Sequence, residues 1–294
     1  MPLMFFLRRR ILQPLAMSMA LWSGLAGAAP AAPSSGLLTI LDGSAFLLRE
    51  TGKFALAEGV MLRPDDVIEV PAGARLARIE LPDGLSLALG PGSRALISPR
   101  LPGERAGACL YLLNGWLKLS APKGVKATVA ASPLDVSTTG GTLILWVQPD
   151  GARVFAEAGE SGVRRGGAPA SVQTLASGEL LSLGNGVDAK AELSNRPTQT
   201  FVSALPRAFV DALPARAAKF QDHPLEPKLL APLAYADAQP WLDVDSPSLR
   251  RAYLARWRPL TKDAEFRRGL VADMKAHPEW EPVLFPPRPK HTAP

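Results

Sequence analysis

Residues 74–98 read ARLARIELPDGLSLALGPGSRALIS, and this stretch decides the fold class. Ala77, Ile79 and Leu81 alternate with Arg78 and Glu80, which predicts a strand with one apolar face and one wet face. Pro82-Asp83-Gly84 predicts a tight turn, because Pro presets one φ and Gly accepts the positive φ that other residues resist. Leu85, Leu87 and Leu89 resume the period of two. Gly90-Pro91-Gly92-Ser93 predicts a second reversal before Ala95-Leu96-Ile97.

The same pattern extends outward. Residues 36–49 predict a strand pair about Asp42-Gly43, and residues 67–70 a short strand. Residues 110–113 and 116–120 flank Asn114-Gly115, the strongest short hairpin signal. Residues 142–147 are apolar on both faces, as in a central or covered strand. Asp150-Gly151, Ala158-Gly159-Glu160 and Ser177-Gly178-Glu179 mark further turns. Short strands with Gly-centred turns every eight to twelve residues or so indicate an all-β sandwich, barrel or solenoid.

The charge is +6 over 294 residues, and its location matters more than its size. Arg8-Arg9-Arg10 precedes the first acid, Asp42, while residues 30–190 carry 15 basic and 15 acidic residues. The β-rich part therefore lacks the basic footprint of a nucleic-acid binder. Residues 1–29 have the parts of an export signal: the arginines, an apolar run over 11–25 and the small-residue site Ala26-Gly27-Ala28. Cleavage would leave an Ala/Pro/Ser tether over 30–35, and an uncleaved signal would serve as an inner-membrane anchor. Either outcome implies a periplasmic location. The single cysteine, Cys109, lies between Ala108 and Leu110 and reads as a small core hydrophobe.

Composition shifts near Lys190. Seven prolines punctuate residues 191–240 and predict a connecting segment with short helices. Ser246-Pro247 predicts a helix start, with Leu249, Tyr253 and Trp257 on one face. A second helix near Thr261 to Asp263 carries Phe266, Leu270 and Met274. The tail over 286–294 reads as disordered.

Chemistry-bearing constellations are few. His223, His277 and His291 have no partner at metal-ligand spacing, so no metal site and no cofactor are expected. The sequence has neither a G-x-S-x-G elbow nor a phosphate-binding loop. Asp65-Asp66 reads as a solvated turn; a carboxylate-only active site would need Asp65, Asp66 and Asp83 to converge. Trp116 and Trp146 are expected in the core. Trp241, Arg250, Arg251 and Trp257 form the candidate interaction surface, with Arg256, Arg258, Arg267 and Arg268 extending a basic patch.

Taken in order, several motifs resemble exported FecR-type domains. They are Pro82-Asp83-Gly84-Leu85-Ser86-Leu87, Pro91-Gly92-Ser93, Leu113-Asn114-Gly115-Trp116-Leu117-Lys118-Leu119, Ser137-Thr138-Thr139-Gly140-Gly141-Thr142 and Ala176-Ser177-Gly178-Glu179. The resemblance implies a mainly β fold, a twisted β-solenoid or sandwich-like FecR-like domain over 36–190, followed by a small α-helical C-terminal region over 241–285. It also implies a non-enzymatic sensing or protein-interaction module of envelope signalling. In the family's best-known members this domain is the sensory half of a transmembrane anti-sigma regulator. Only ten residues precede the apolar run here, so no cytoplasmic sigma-binding part is expected. The expected partner is an envelope protein, the alternative a cell-wall polymer. Neither nucleic acid nor membrane contact beyond the N-terminal segment is expected.

Overall fold

The alternating residues build sixteen strands among the described residues. These are β1 Gly36–Asp42, β2 Phe46–Arg49, β3 Gly52–Ala55, β4 Met61–Leu62, β5 Val67–Val70, β6 Leu76–Glu80, β7 Ser86–Leu89 and β8 Ser93–Ile97. They continue with β9 Leu110–Ala131, β10 Leu134–Gln148, β11 Gly151–Ala158, β12 Ser161–Arg165, β13 Val172–Leu175, β14 Leu180–Gly184, β15 Ala191–Ser194 and β16 Lys228–Pro232. Five helices are added late: α1 Gln199–Ala204, α2 Tyr235–Leu242, α3 Pro247–Trp257, α4 Ala264–Ala272 and α5 Glu281–Leu284. The computed structural model describes residues 36–165, 172–185, 189–220 and 222–286. The expected export signal and tether, and the expected tail from residue 287, lie outside the described residues.

The strands form one antiparallel sheet curled into a half-barrel, with the helices near the C-terminus. This is the expected mainly β fold with a helical C-terminal part. The main path through the sheet is β15-β14-β11-β10-β9-β8-β5-β2-β3-β16. Its inner face is one continuous core that includes Leu38, Ile68, Ile79, Leu87, Leu117, Leu145, Val154 and Leu181. Each fully buried aliphatic side chain contributes roughly 1.5–3 kcal/mol.

Three expected reversals are not reversals. Asn114-Gly115 lies inside the 22-residue strand β9, at the point where β9 changes partner. Residues 110–114 pair with β8 and residues 117–120 pair with β7. Gly90-Pro91-Gly92 faces this point as a corner between β7 and β8, which run on along the same strand. Gly115 spends its positive φ of 92° inside the strand, beside a bulge between Leu112 and Asn114, instead of in a hairpin. The bulge resets the pleat: Leu110 and Leu112 point into the core before it, Leu117 and Leu119 after it. One inserted residue is what turns even positions into odd ones. β10 repeats the device at Gly140-Gly141, with Leu134 and Val136 inward before it and Leu143 and Leu145 after it. Asp42-Gly43 is likewise a corner, since β1 pairs with β4 and β6 while β2 pairs with β3 and β5.

The outer face is not wet. Two stretches of the C-terminal third cover it. Residues 199–213 lay Phe201, Phe209 and Leu213 over Trp116, Ile144 and Trp146. Helices α2–α5 lay a second cluster over Leu48, Val67, Leu96 and Tyr111. Helix α3 starts at Pro247 as expected and buries Leu249, Tyr253 and Trp257. Asp263 caps α4 by accepting from the backbone N–H groups of Glu265 and Phe266. The helical region begins at Tyr235, earlier than residue 241, and the segment 191–240 supplies two edge strands, β15 and β16.

Candidate functional site

Charged residues of the outer face hold the covering chain in place. Arg78 and Glu80, expected on a wet surface, are each 8% exposed. The Arg78 guanidinium donates to the carbonyls of Leu213 and Pro214 at 2.9 and 2.8 Å. The Glu80 carboxylate accepts from the backbone N–H of Arg216 at 2.9 Å, from that of Ala217 at 3.0 Å and from Thr39 Oγ1 at 2.9 Å. Lys118 Nζ donates to the Phe209 carbonyl at 2.6 Å and pairs with Glu157 at 2.7 Å. Phe209 wedges edge-on against Trp116, which stacks on Trp146 at 4.2 Å. Residues 206–217 are thus a strap pinned at both ends.

A groove of about 720 Å³ opens between this strap and the sheet. Its floor carries Ser86, Ser120 and Thr142, which sit directly opposite one another on β7, β9 and β10. Ala88, Lys118 and Glu157 complete the floor, and Asp211 stands on the strap side. Ser86 Oγ accepts from Arg78 Nε at 2.8 Å, and Ser120 Oγ accepts from Thr142 Oγ1 at 3.3 Å. The sequence signal for this floor is the polar partner of each leucine in β7 and β9. Only the strand register assembles those partners into a row.

The candidate interaction surface divides. Trp241 and Trp257 are 0% exposed, so they are not surface residues. Their indole N–H groups reach into the sheet: Trp257 Nε1 donates to the Glu50 carbonyl at 3.0 Å and Trp241 Nε1 to Glu69 at 3.4 Å. The physical reason is that α2 and α3 have a sheet to pack on, and a large indole contributes most where both its ring and its N–H are satisfied. Arg250 is half-buried and Arg251 exposed, and neither has an ion-pair partner among the described residues. Arg256 instead clamps the Asp65 and Leu48 carbonyls.

The acidic candidates and His277 are tied up, whereas His223 is exposed and His291 lies outside the described residues. Asp66 is no solvated turn residue: it is 1% exposed, pairs with Arg49 at 2.7 Å and accepts from the Arg63 N–H at 2.7 Å. Asp65 meets Arg100 at 3.1 Å, while Asp83 caps the Leu85 N–H within the β6–β7 turn. His277 is fully buried beneath the helices. Its Nε2 lies 3.1 Å from the Tyr235 hydroxyl, which donates to Asp273 at 2.8 Å. With that proton committed to the carboxylate, the Tyr235 oxygen accepts from His277 Nε2–H, and Nδ1 has no partner among the described residues. Burial and the Asp273 hydrogen bond both raise the Tyr235 phenol well above its usual value. Cys109 is a core residue: burial pushes its thiol from 9.0 up to about 12, outside the reactive range. No group of three or more metal-ligating side chains occurs among the described residues, and none of their helices is long and apolar enough to cross a membrane.

No family model matches the sequence, and no curated protein matches it. Among solved structures, two crystal structures described as those of a candidate anti-sigma factor from Parabacteroides distasonis ATCC 8503, at 1.65 and 2.50 Å resolution, are similar to the chain. Each is 20% identical with a TM-score of 0.38 over 47% of this chain. The chain spans 62% and 63% of their length. Likeness at that level carries no functional argument.

Proposed function

We propose that the chain is a non-catalytic, periplasmic FecR-type module that works by binding, as a sensing and protein-interaction part of envelope signalling. The observation that supports this reading is how the resembling motifs are used. Asn114 Nδ2 donates to the Gly92 carbonyl at 2.7 Å, and Trp116 N–H donates to Ser93 Oγ at 2.8 Å. Gly140 packs against Lys123, and Gly178 N–H donates to the Ala156 carbonyl at 2.7 Å. Motifs that are remote in sequence thus lock neighbouring strands of one sheet. The Asp-Gly, Gly-Ser, Asn-Gly, Gly-Gly and Gly-Glu elements are structural fasteners, which leaves recognition to surfaces.

A second reading, a cell-wall or polysaccharide-associated binding protein, is favoured by the cations of Arg250 and Arg251, which have no ion-pair partner among the described residues. One experiment separates the two. Full-length protein and an Arg250→Ala/Arg251→Ala variant are used to capture partners from solubilised envelope and, in parallel, are sedimented with purified peptidoglycan. The first reading expects one reproducible protein partner and no sedimentation. Sedimentation that the double variant loses, without a protein partner, selects the second.

A further inference from the structure

Resting on the reading of the chain as a binding module, we infer that the groove beneath the strap is a site for an uncharged sugar unit. The hydrogen-bond accounting of its floor carries the inference. Ser86 and Ser120 each already accept a hydrogen bond, from Arg78 Nε and from Thr142 Oγ1. A hydroxyl has one proton and two lone pairs, so each serine keeps its O–H for a guest. The two serines are directly opposite on neighbouring strands, which sets them roughly 5 Å apart. Ser86 is the stronger donor, because the guanidinium that bonds to its oxygen polarises it.

Each cation of the groove is met by a carboxylate. Lys118 is met by Glu157, and Arg78 lies 3.8 Å from Glu80. An oxyanion would find no unbalanced cation to offset its desolvation. Asp211 on the strap is exposed and has no hydrogen-bond or ion-pair partner among the described residues, so it offers acceptors across from the serine donors. Ala88, Ala158 and Ala212 supply small apolar walls between donors and acceptors. A guest that accepts along one edge, donates along the other, carries no charge and shows C–H faces between them is a polyhydroxylated ring. The volume of about 720 Å³ holds more than one such ring. Phe209, the aromatic residue lining the groove, is buried and offers no stacking face. Hydrogen bonds therefore carry the recognition, and affinity is modest.

The test follows the backbone amide resonances of the full chain titrated with chitobiose, maltose, glucuronate and inorganic phosphate. The expected result is a saturable response to a neutral disaccharide at Ser86, Ser120 and Thr142. Ser86→Ala, Ser120→Ala and the rim variant Asp211→Ala should each weaken it about three- to tenfold; Asp211→Ala should leave thermal stability unchanged, whereas Ser86→Ala, which takes the acceptor from the buried Arg78 Nε–H, should also lower it. The inference is overturned by no saturable response to either disaccharide, by tighter binding of glucuronate or phosphate, or by affinity that all three variants leave unchanged. Capture of an envelope protein that persists while both sugars fail removes the sugar assignment and leaves the interaction reading standing.

Discussion

At the scale of single residues, the fold depends on a few glycines whose missing Cβ is essential. Gly115 combines a φ of 92° with a position where any Cβ would strike the Ser93 backbone and lie 2.8 Å from the Gly92 carbonyl oxygen. Gly92 also has a positive φ, 67°, but no atom within 4 Å of where its Cβ would stand. The two positions therefore separate backbone strain from collision. Gly92→Ala should cost about 1–2 kcal/mol, the left-handed strain alone. Gly115→Ala should cost more than about 3 kcal/mol, since relief would need β7–β8 and β9 to part. Urea unfolding of both variants measures the difference; equal costs would mean that the corner yields without parting the strands.

At the scale of elements, α2 and α4 meet through a second missing side chain. Gly269 presses against Tyr235, where a Cβ would lie 2.9 Å from the Tyr235 Cβ and closer still to its ring. Tyr235 in turn connects Asp273 and His277 and packs edge-on against Phe266 at 5.8 Å. Gly269→Ala should force the helices apart and break this chain of hydrogen bonds. Hydrogen exchange should then accelerate over α2 and α4 and stay unchanged in β11 and β14, which take no part in the helix cluster, because additivity holds between sites that share no partners. Uniform acceleration across the sheet would show instead that helices and sheet unfold as one unit.

At the scale of the whole molecule, the C-terminal third is part of the core. It covers Leu48, Val67, Leu96 and Tyr111 with helices and Trp116, Ile144 and Trp146 with the strap segment. A chain truncated after residue 198 would expose both patches, an apolar area that monomeric proteins rarely present to water. The truncated protein should bind a hydrophobic dye strongly and self-associate, and the full chain should do neither. Sedimentation velocity and dye fluorescence report both, and a monomeric, dye-silent truncation would show that the half-barrel stands alone.

The sequence by itself determined the local features of this protein. Period-two alternation marked most strands, Gly and Asp marked the corners, and apolar neighbours marked Cys109 as core. Ser246-Pro247 and the fourfold spacing of Leu249, Tyr253 and Trp257 marked α3. These features rest on steric preferences of a few adjacent residues, which is why they were legible. What a positive φ is used for was decided only in the tertiary structure, because a hairpin turn and a bend beside a bulge ask the same of Gly115 and differ in the strand that lies opposite. The same holds for Arg78, Glu80, Trp241 and Trp257. Alternation reveals which side of an element is polar or apolar, but burial depends on whether distant chain returns to cover that side. The C-terminal third does return, and its strap turns the sheet face that carries Ser86, Ser120 and Thr142 into a groove.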